Sequence, residues 1–214
     1  MPVPSAQNFG ALKDSVLRYL KLKDDTEADT LAGLAIRSAL LRLHAYPIKS
    51  MLSTADLTVT TGSHEVTLPS DYNMAFSLHR LDSNDRRDGR IIQRREEDFD
   101  AVNEDSEAVP GVPSTYTVRG GGTTLEFDRT PTAAEYALHP KVRLRYFKRL
   151  DTLVTATATF SISPEIEEFI VWHARKELAP IYDAKMYPLA MQEASRALMD
   201  LIRRDTIRDE QDWF

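Results

Sequence analysis

The chain has 214 residues, a formal net charge of −6 and no cysteine, with 42% hydrophobic and 28% charged residues. That composition is globular, and a chain of this length buries roughly 70% of its surface in one generous domain or two small ones. Disulfides, thiolate zinc sites and cysteine nucleophiles are excluded together, and the acidic balance argues against coating DNA by bulk electrostatics.

"MPVPSAQNFG" lacks the basic and apolar regions of a secretory signal, and no apolar run approaches a membrane span, so a cytosolic, soluble product is expected. From Asn8 to Lys23, Phe9, Leu12, Val16, Leu17 and Leu20 fall at helical spacing. After "DDTEAD", Thr26 is the expected N-cap of a second helix that must end before Pro47. Leu31, Leu34, Ala35, Ile36, Leu40, Leu41 and Leu43 make that helix apolar around much of its circumference, as a helix covered on more than one side would be.

Near Thr54 the period changes from helical to alternating. "DLTVTT", "EVTL" (stopped by Pro69) and "MAFSLHRLD" read as short strands, the last with Met74, Phe76 and Leu78 on one face. "SNDRRDG" is expected to close a turn at Asp88-Gly89, and a charged helix is expected near residues 93–104. "TYTVR" and "TTLEF" flank three glycines as a hairpin, and "VRLRYF" is a further strand. Helical spacing returns with Ser163 as cap, Pro164 at the first helical position and Glu165, Glu167 and Glu168 in the first turn. The apolar stripe there is Ile166, Phe169, Ile170, Ala174, Leu178 and Ile181; a last helix from about Tyr187 repeats Ala190, Ala194, Ala197, Leu198, Leu201 and Ile202.

The expected fold is therefore α+β: a helical bundle from residues 1–50 and 160–214, with a small antiparallel β domain, sandwich or open barrel, inserted at 51–159.

Catalytic constellations are missing from the pattern. The five histidines, His44, His64, His79, His139 and His173, form no metal-ligand spacing, and His173 with Glu177 is the best pair. "DSNDRRDGRIIQ" starts like a calcium loop at Asp82 and Asn84, then places Arg86 and Arg87 where a ligand and a glycine belong and Gln93 where a glutamate belongs. "RGGGTT" lacks the Lys-Ser/Thr ending of a phosphate loop. No catalytic residue, metal or cofactor is expected. Two partner surfaces are candidates. Lys141, Arg143 and Arg145 alternate onto one face of a strand, followed by Lys148 and Arg149; this is a solvated face, or a basic patch for an acidic partner subunit or DNA phosphates. Ile207, Trp213 and Phe214 in the C-terminal tail belong to a frayed end or to a docking peptide.

The order of these parts resembles the head–tail adaptor (connector, or neck) proteins of tailed bacteriophages, in particular the tail tubular protein A type. The resemblance rests on the strand–turn–strand into Leu68-Pro69-Ser70-Asp71-Tyr72 and the Gly111-Val112-Pro113…Tyr116 step into a hairpin. It rests too on Asp128-Arg129-Thr130-Pro131 before the "VRLRY" strand and the Ser163-Pro164-Glu165 helix start. It covers about residues 10–205; where the family usually has a proline-rich turn, this chain has the longer "DRTPTAAEYALHP". The resemblance implies a non-enzymatic virion protein in the neck, made in the host cytoplasm: a ring, commonly of twelve subunits. That ring would dock under the portal protein and face a tail or nozzle protein, with DNA passing through its lumen unread. A non-enzymatic protein-binding accessory domain unrelated to virions is the competing reading.

Overall fold

The computed structural model describes residues 8–22, 25–103, 109–150 and 162–205. The chain divides into two compact units: Leu52–Lys148, and the flanking pieces Met1–Met51 and Arg149–Phe214.

The flanking pieces make a helical unit. Helix α1 (Phe9–Leu20) begins where the Asn8 carboxamide accepts the Ala11 N–H at 2.8 Å, and it buries all five residues of its expected stripe. It stops at Lys21, which takes the left-handed conformation at φ 59° and returns its N–H to the last turn. Helix α2 (Thr26–Leu43) is capped by Asp25 rather than Thr26: the Asp25 carboxylate accepts the Glu27 and Ala28 N–H groups from extended backbone. The carboxylate satisfies two free donors at the positive end of the helix, where a hydroxyl one position later satisfies none. A 3-10 turn, Lys49–Met51, follows.

After the sheet unit, helix α5 (Pro164–Tyr182) starts as expected, with Ser163 accepting the Ile166 N–H. It contacts α1, α2 and α6 (Tyr187–Asp205) and is buried nearly all round from Ile166 to Ala179. Ile181, expected on its buried stripe, is instead exposed, because the stripe runs past the stretch its neighbours cover. Helix α6 meets α5 through Ala190, Ala194, Ala197 and Leu201, at spacings of four, three and four; side chains this small let the two backbones approach. Leu150 belongs with this unit, its N–H donating to His44 Nε2 at 3.1 Å.

A polar cluster lies within the helices. Arg175 is 8% exposed, donates from Nη2 to the Ser15 carbonyl at 2.6 Å, and has the rings of Tyr19 and Trp172 within 4.3 and 4.5 Å of its guanidinium carbon. Burial pulls its pKa down to about 10.

The sheet unit holds seven strands: β1 (Leu52–Thr58), β2 (Glu65–Thr67), β3 (Tyr72–Leu81), β4 (Arg87–Gln93), β5 (Thr115–Arg119), β6 (Thr124–Phe127) and β7 (Lys141–Lys148). They form one sheet in the order β1-β7-β3-β4-β5-β6-β2. Consecutive strands β1 and β2 thus occupy opposite edges. Laid flat, those edges would stand about 29 Å apart, six spacings of about 4.8 Å. The link from Thr58 to Glu65 spans at most about 25 Å fully extended, and it contains a turn in which Ser63 N–H bonds Thr60 O. The sheet has to curl, and it is a half-barrel rather than a two-layer sandwich. Tyr72, Leu78, Tyr116, Leu125, Phe127, Leu144 and Tyr146 are among the residues that fill it.

The expected antiparallel pairing is replaced at one place: β4 and β5 run parallel. The crossover between them carries the short helix α3 (Glu96–Asp100), whose Phe99 is fully buried. Strand β3 does not alternate as a straight strand would. Irregularities between Tyr72 and Met74 and between Ala75 and Ser77 reset its pairing with β7, so Tyr72, Ala75 and Leu78 face the core and Met74 faces out. The β3–β4 turn is made by Asp82, not by Asp88-Gly89, which lie inside β4. Ahead of β7, helix α4 (Ala133–Leu138) opens with a capping box between Thr132 and Glu135.

Candidate partner-binding surfaces

Among the described residues, no three His, Asp or Glu side chains are placed to hold a metal ion. The Asp82 carboxylate of the calcium-like loop is occupied by its own chain, accepting the Asn84 and Arg86 N–H groups at 2.8 Å each. Those bonds, the one from Arg86 foremost, hold its pKa below the ordinary carboxylate value.

His173 Nε2 lies 3.1 Å from Glu177 Oε1, and Ser38 Oγ donates to that same oxygen at 2.7 Å. The carboxylate stands between imidazole and hydroxyl, so the histidine has no hydrogen bond to Ser38 through which to take its proton. This trio ties α2 to α5. Burial, with Lys176 and Arg42 nearby, lowers the His173 pKa against the attraction of Glu177.

The basic strand β7 is an interior strand between β1 and β3. Its alternation is as the sequence implies, with Val142, Leu144 and Tyr146 buried. Its cations are treated differently by their neighbours. Arg143 makes two bonds of 2.7 Å to the Asp56 carboxylate across β1, which holds the Asp56 pKa down and the Arg143 pKa up. Lys141 reaches Asp85 at 3.1 Å. The guanidinium of Arg145 lies 5.0 Å from the Phe76 ring centre. Lys148 and Arg149 are half-buried.

At the far side of the same sheet face, Arg119 bonds Glu126 at 2.6 Å and Glu96 at 2.7 Å, and also Asp100, and it packs over the Phe99 ring. These contacts fasten α3 across β5 and β6 and raise the Arg119 pKa, the Asp100 bond most of all.

In the helical unit, Leu34 and Leu41 are 54% and 69% exposed, two turns apart on one side of α2. Tyr187, Leu189, Met191 and Met199 of α6 are exposed as well. The sequence pattern marks α2 as too apolar for one buried face, and these two leucines are the surplus. The tail residues Ile207, Trp213 and Phe214 lie outside the described residues.

Mixed curled sheet, helical unit and surface leucines, with no assembled catalytic group among the described residues, define an α+β protein whose recognisable surfaces suit partners. A family model sharpens that class: SU10 adaptor protein matches residues 7–212, and the chain belongs to that family. It is thus a phage adaptor and a component of the virion, in a structural family that is typically non-enzymatic. No curated protein matches the chain.

Proposed function

We propose that this adaptor forms a ring, of twelve subunits in the manner of tail tubular protein A type proteins, beneath the portal at the capsid vertex. The ring joins capsid to tail or nozzle protein and lines part of the DNA channel. The observation that carries this reading is the adaptor-family match over residues 7–212. Leu34 and Leu41 support it, because an apolar stripe left exposed on a buried helix suits a head-to-tail subunit contact, and such contacts close into rings. The net charge of −6 supports passage of DNA, since an acidic wall repels phosphates. The helical unit is the portal-facing part of this proposal and the sheet unit the tail-facing part, with Ile207, Trp213 and Phe214 as portal anchors.

Negative-stain images of the purified protein, alone and mixed with its portal, test the reading. Rings on the portal are expected; a chain that stays monomeric and never joins a portal sinks it. Deleting Ile207–Phe214 is expected to weaken portal binding while leaving the melting temperature unchanged, and undiminished binding would remove the tail from the interface.

A further inference from the structure

We propose that the exposed stripe of α2 in one copy of this chain, centred on Leu34, Arg37 and Leu41, packs antiparallel onto α6 of the next copy. It lands on the flank of α6 formed by Met191, Ser195 and Met199. This rests on the ring reading and deepens it: the stripe assigned there to a subunit contact receives a partner surface and a direction.

The two stripes belong to different helices of one unit. Helices α2 and α6 both pack on α5. At about 100° of rotation per residue, Leu34 and Leu41 point about 170° away from the buried face of α2. The line Met191, Ser195, Met199 lies about 130° round from the alanines that α6 turns to α5. Met191 and Met199 are 47% and 65% exposed, and Ser195 and Arg37 are exposed with their stripes. One copy thus carries two unlike surfaces, and joining unlike surfaces is the head-to-tail contact that closes into a ring.

Spacing and chemistry match when the helices run in opposite directions. With Arg37 set opposite Ser195 and about 1.5 Å of rise per residue, Leu41 and Met191 both lie about 6 Å to one side. On the other side Leu34 lies at about 4.5 Å and Met199 at about 6 Å, then Glu27 at about 15 Å and Arg203 at about 12 Å. Two apolar pairs flank the centre and an ion pair closes one end. Run parallel, the same centre brings Arg203 beside Arg42, cation against cation. Antiparallel helices also bring opposite dipole ends together. At the centre, the Ser195 hydroxyl donates its proton to the Met191 carbonyl at 2.9 Å, which leaves its oxygen as an acceptor for the Arg37 guanidinium. Glu27, Arg37 and Arg203 are exposed and make no ion pair among the described residues. Flexible methionines fill the irregular space around two leucines, and an arginine set among apolar side chains is a frequent anchor of an interface centre.

The test is disulfide trapping in the full chain assembled with its portal. Because the chain has no cysteine, introduced ones report only the contact they are placed on, and a disulfide needs Cβ atoms about 4 Å apart. Oxidised Leu34→Cys/Met199→Cys is expected to run as a ladder of covalent multimers. Each single variant is expected to stay uncrosslinked, and an equal mixture of the two to stop at dimers. Leu41→Cys/Met199→Cys, with its two positions about 12 Å apart along the axis in this register, is expected to stay uncrosslinked. Glu27→Arg is expected to lower the yield of rings, and Glu27→Arg/Arg203→Glu to restore it. Every substituted position is exposed, and equal melting temperatures establish that the variants fold. Crosslinking of Leu34→Cys alone overturns the proposal, because the contact is then α2 on α2. A ladder from Leu41→Cys/Met199→Cys overturns it as well, because the helices then run parallel, and so does charge reversal that leaves the ring yield unchanged. Rings on the portal with no crosslink in Leu34→Cys/Met199→Cys overturn this inference alone. A ladder from a chain that never joins the portal keeps the contact and removes the neck reading.

Discussion

Arg175 in the helical unit and Arg143 in the sheet unit are held in place by opposite means. Arg175 is buried, has a backbone carbonyl and two aromatic faces as neighbours, and has its pKa pulled down by lost hydration. Arg143 is part-exposed, faces a carboxylate in two parallel bonds, and has its pKa pushed up. The helices use polar groups as filling, where removal leaves a hole. The sheet carries its charges outward as cross-strand pairs that water and salt weaken. Mutational cost should therefore follow burial, not the number of polar bonds.

The largest effects test whether each unit has a core of its own. Phe169→Ala in α5 and Phe127→Ala in β6 remove fully buried rings and should each cost about 3–5 kcal/mol. In calorimetry the two variants should depress different parts of the unfolding profile; an identical shift of one shared transition would break the division. Next, Arg175→Ala should cost about 2–4 kcal/mol, because it empties the space between Tyr19 and Trp172 and strips the Ser15 carbonyl of its donor. Denaturant midpoints at two salt concentrations should show that loss unchanged by salt.

The pH dependence comes third. His173 has a folded-state pKa below the ordinary value of about 6.5, so the unfolded chain binds more protons in mild acid. Its contribution is intact above that value and is lost as pH falls through it toward the folded value. The urea midpoint should drop between pH 7.5 and 5.5 in the wild type and drop less in His173→Gln. An equal drop would assign the acid sensitivity elsewhere. Arg143→Ala is the smallest, at most about 1 kcal/mol and vanishing in high salt. A salt-independent loss as large as that of Arg175→Ala would erase the contrast between the units.

Local chemistry is legible in the sequence itself. The stripe of α1, the Ser163–Pro164 start of α5 and the glycine hairpin are each written in a few consecutive residues. The Thr132-x-x-Glu135 box that opens α4 is written just as locally, between Pro131 and Pro140. What the residues could not announce is what distant strands do to one another. The resets in β3 arise from pairing with β7, and the parallel β4–β5 pair arises from a crossover. The same holds for the basic surface: alternation put Lys141, Arg143 and Arg145 together, whereas Asp85, Asp56 and the cations of β4 redistribute that charge through the sheet.

The link between β1 and β2 has a mechanical consequence. Those strands are the two rims of an open hoop, and residues 59–64 clasp one rim to the other. Val59, within the clasp, is itself part of the filling. Clasp length therefore bounds how far the hoop can spread: a few flexible residues added there would let the rims part and loosen Val66 and Leu68 from the interior, while every strand pairing stayed as it is.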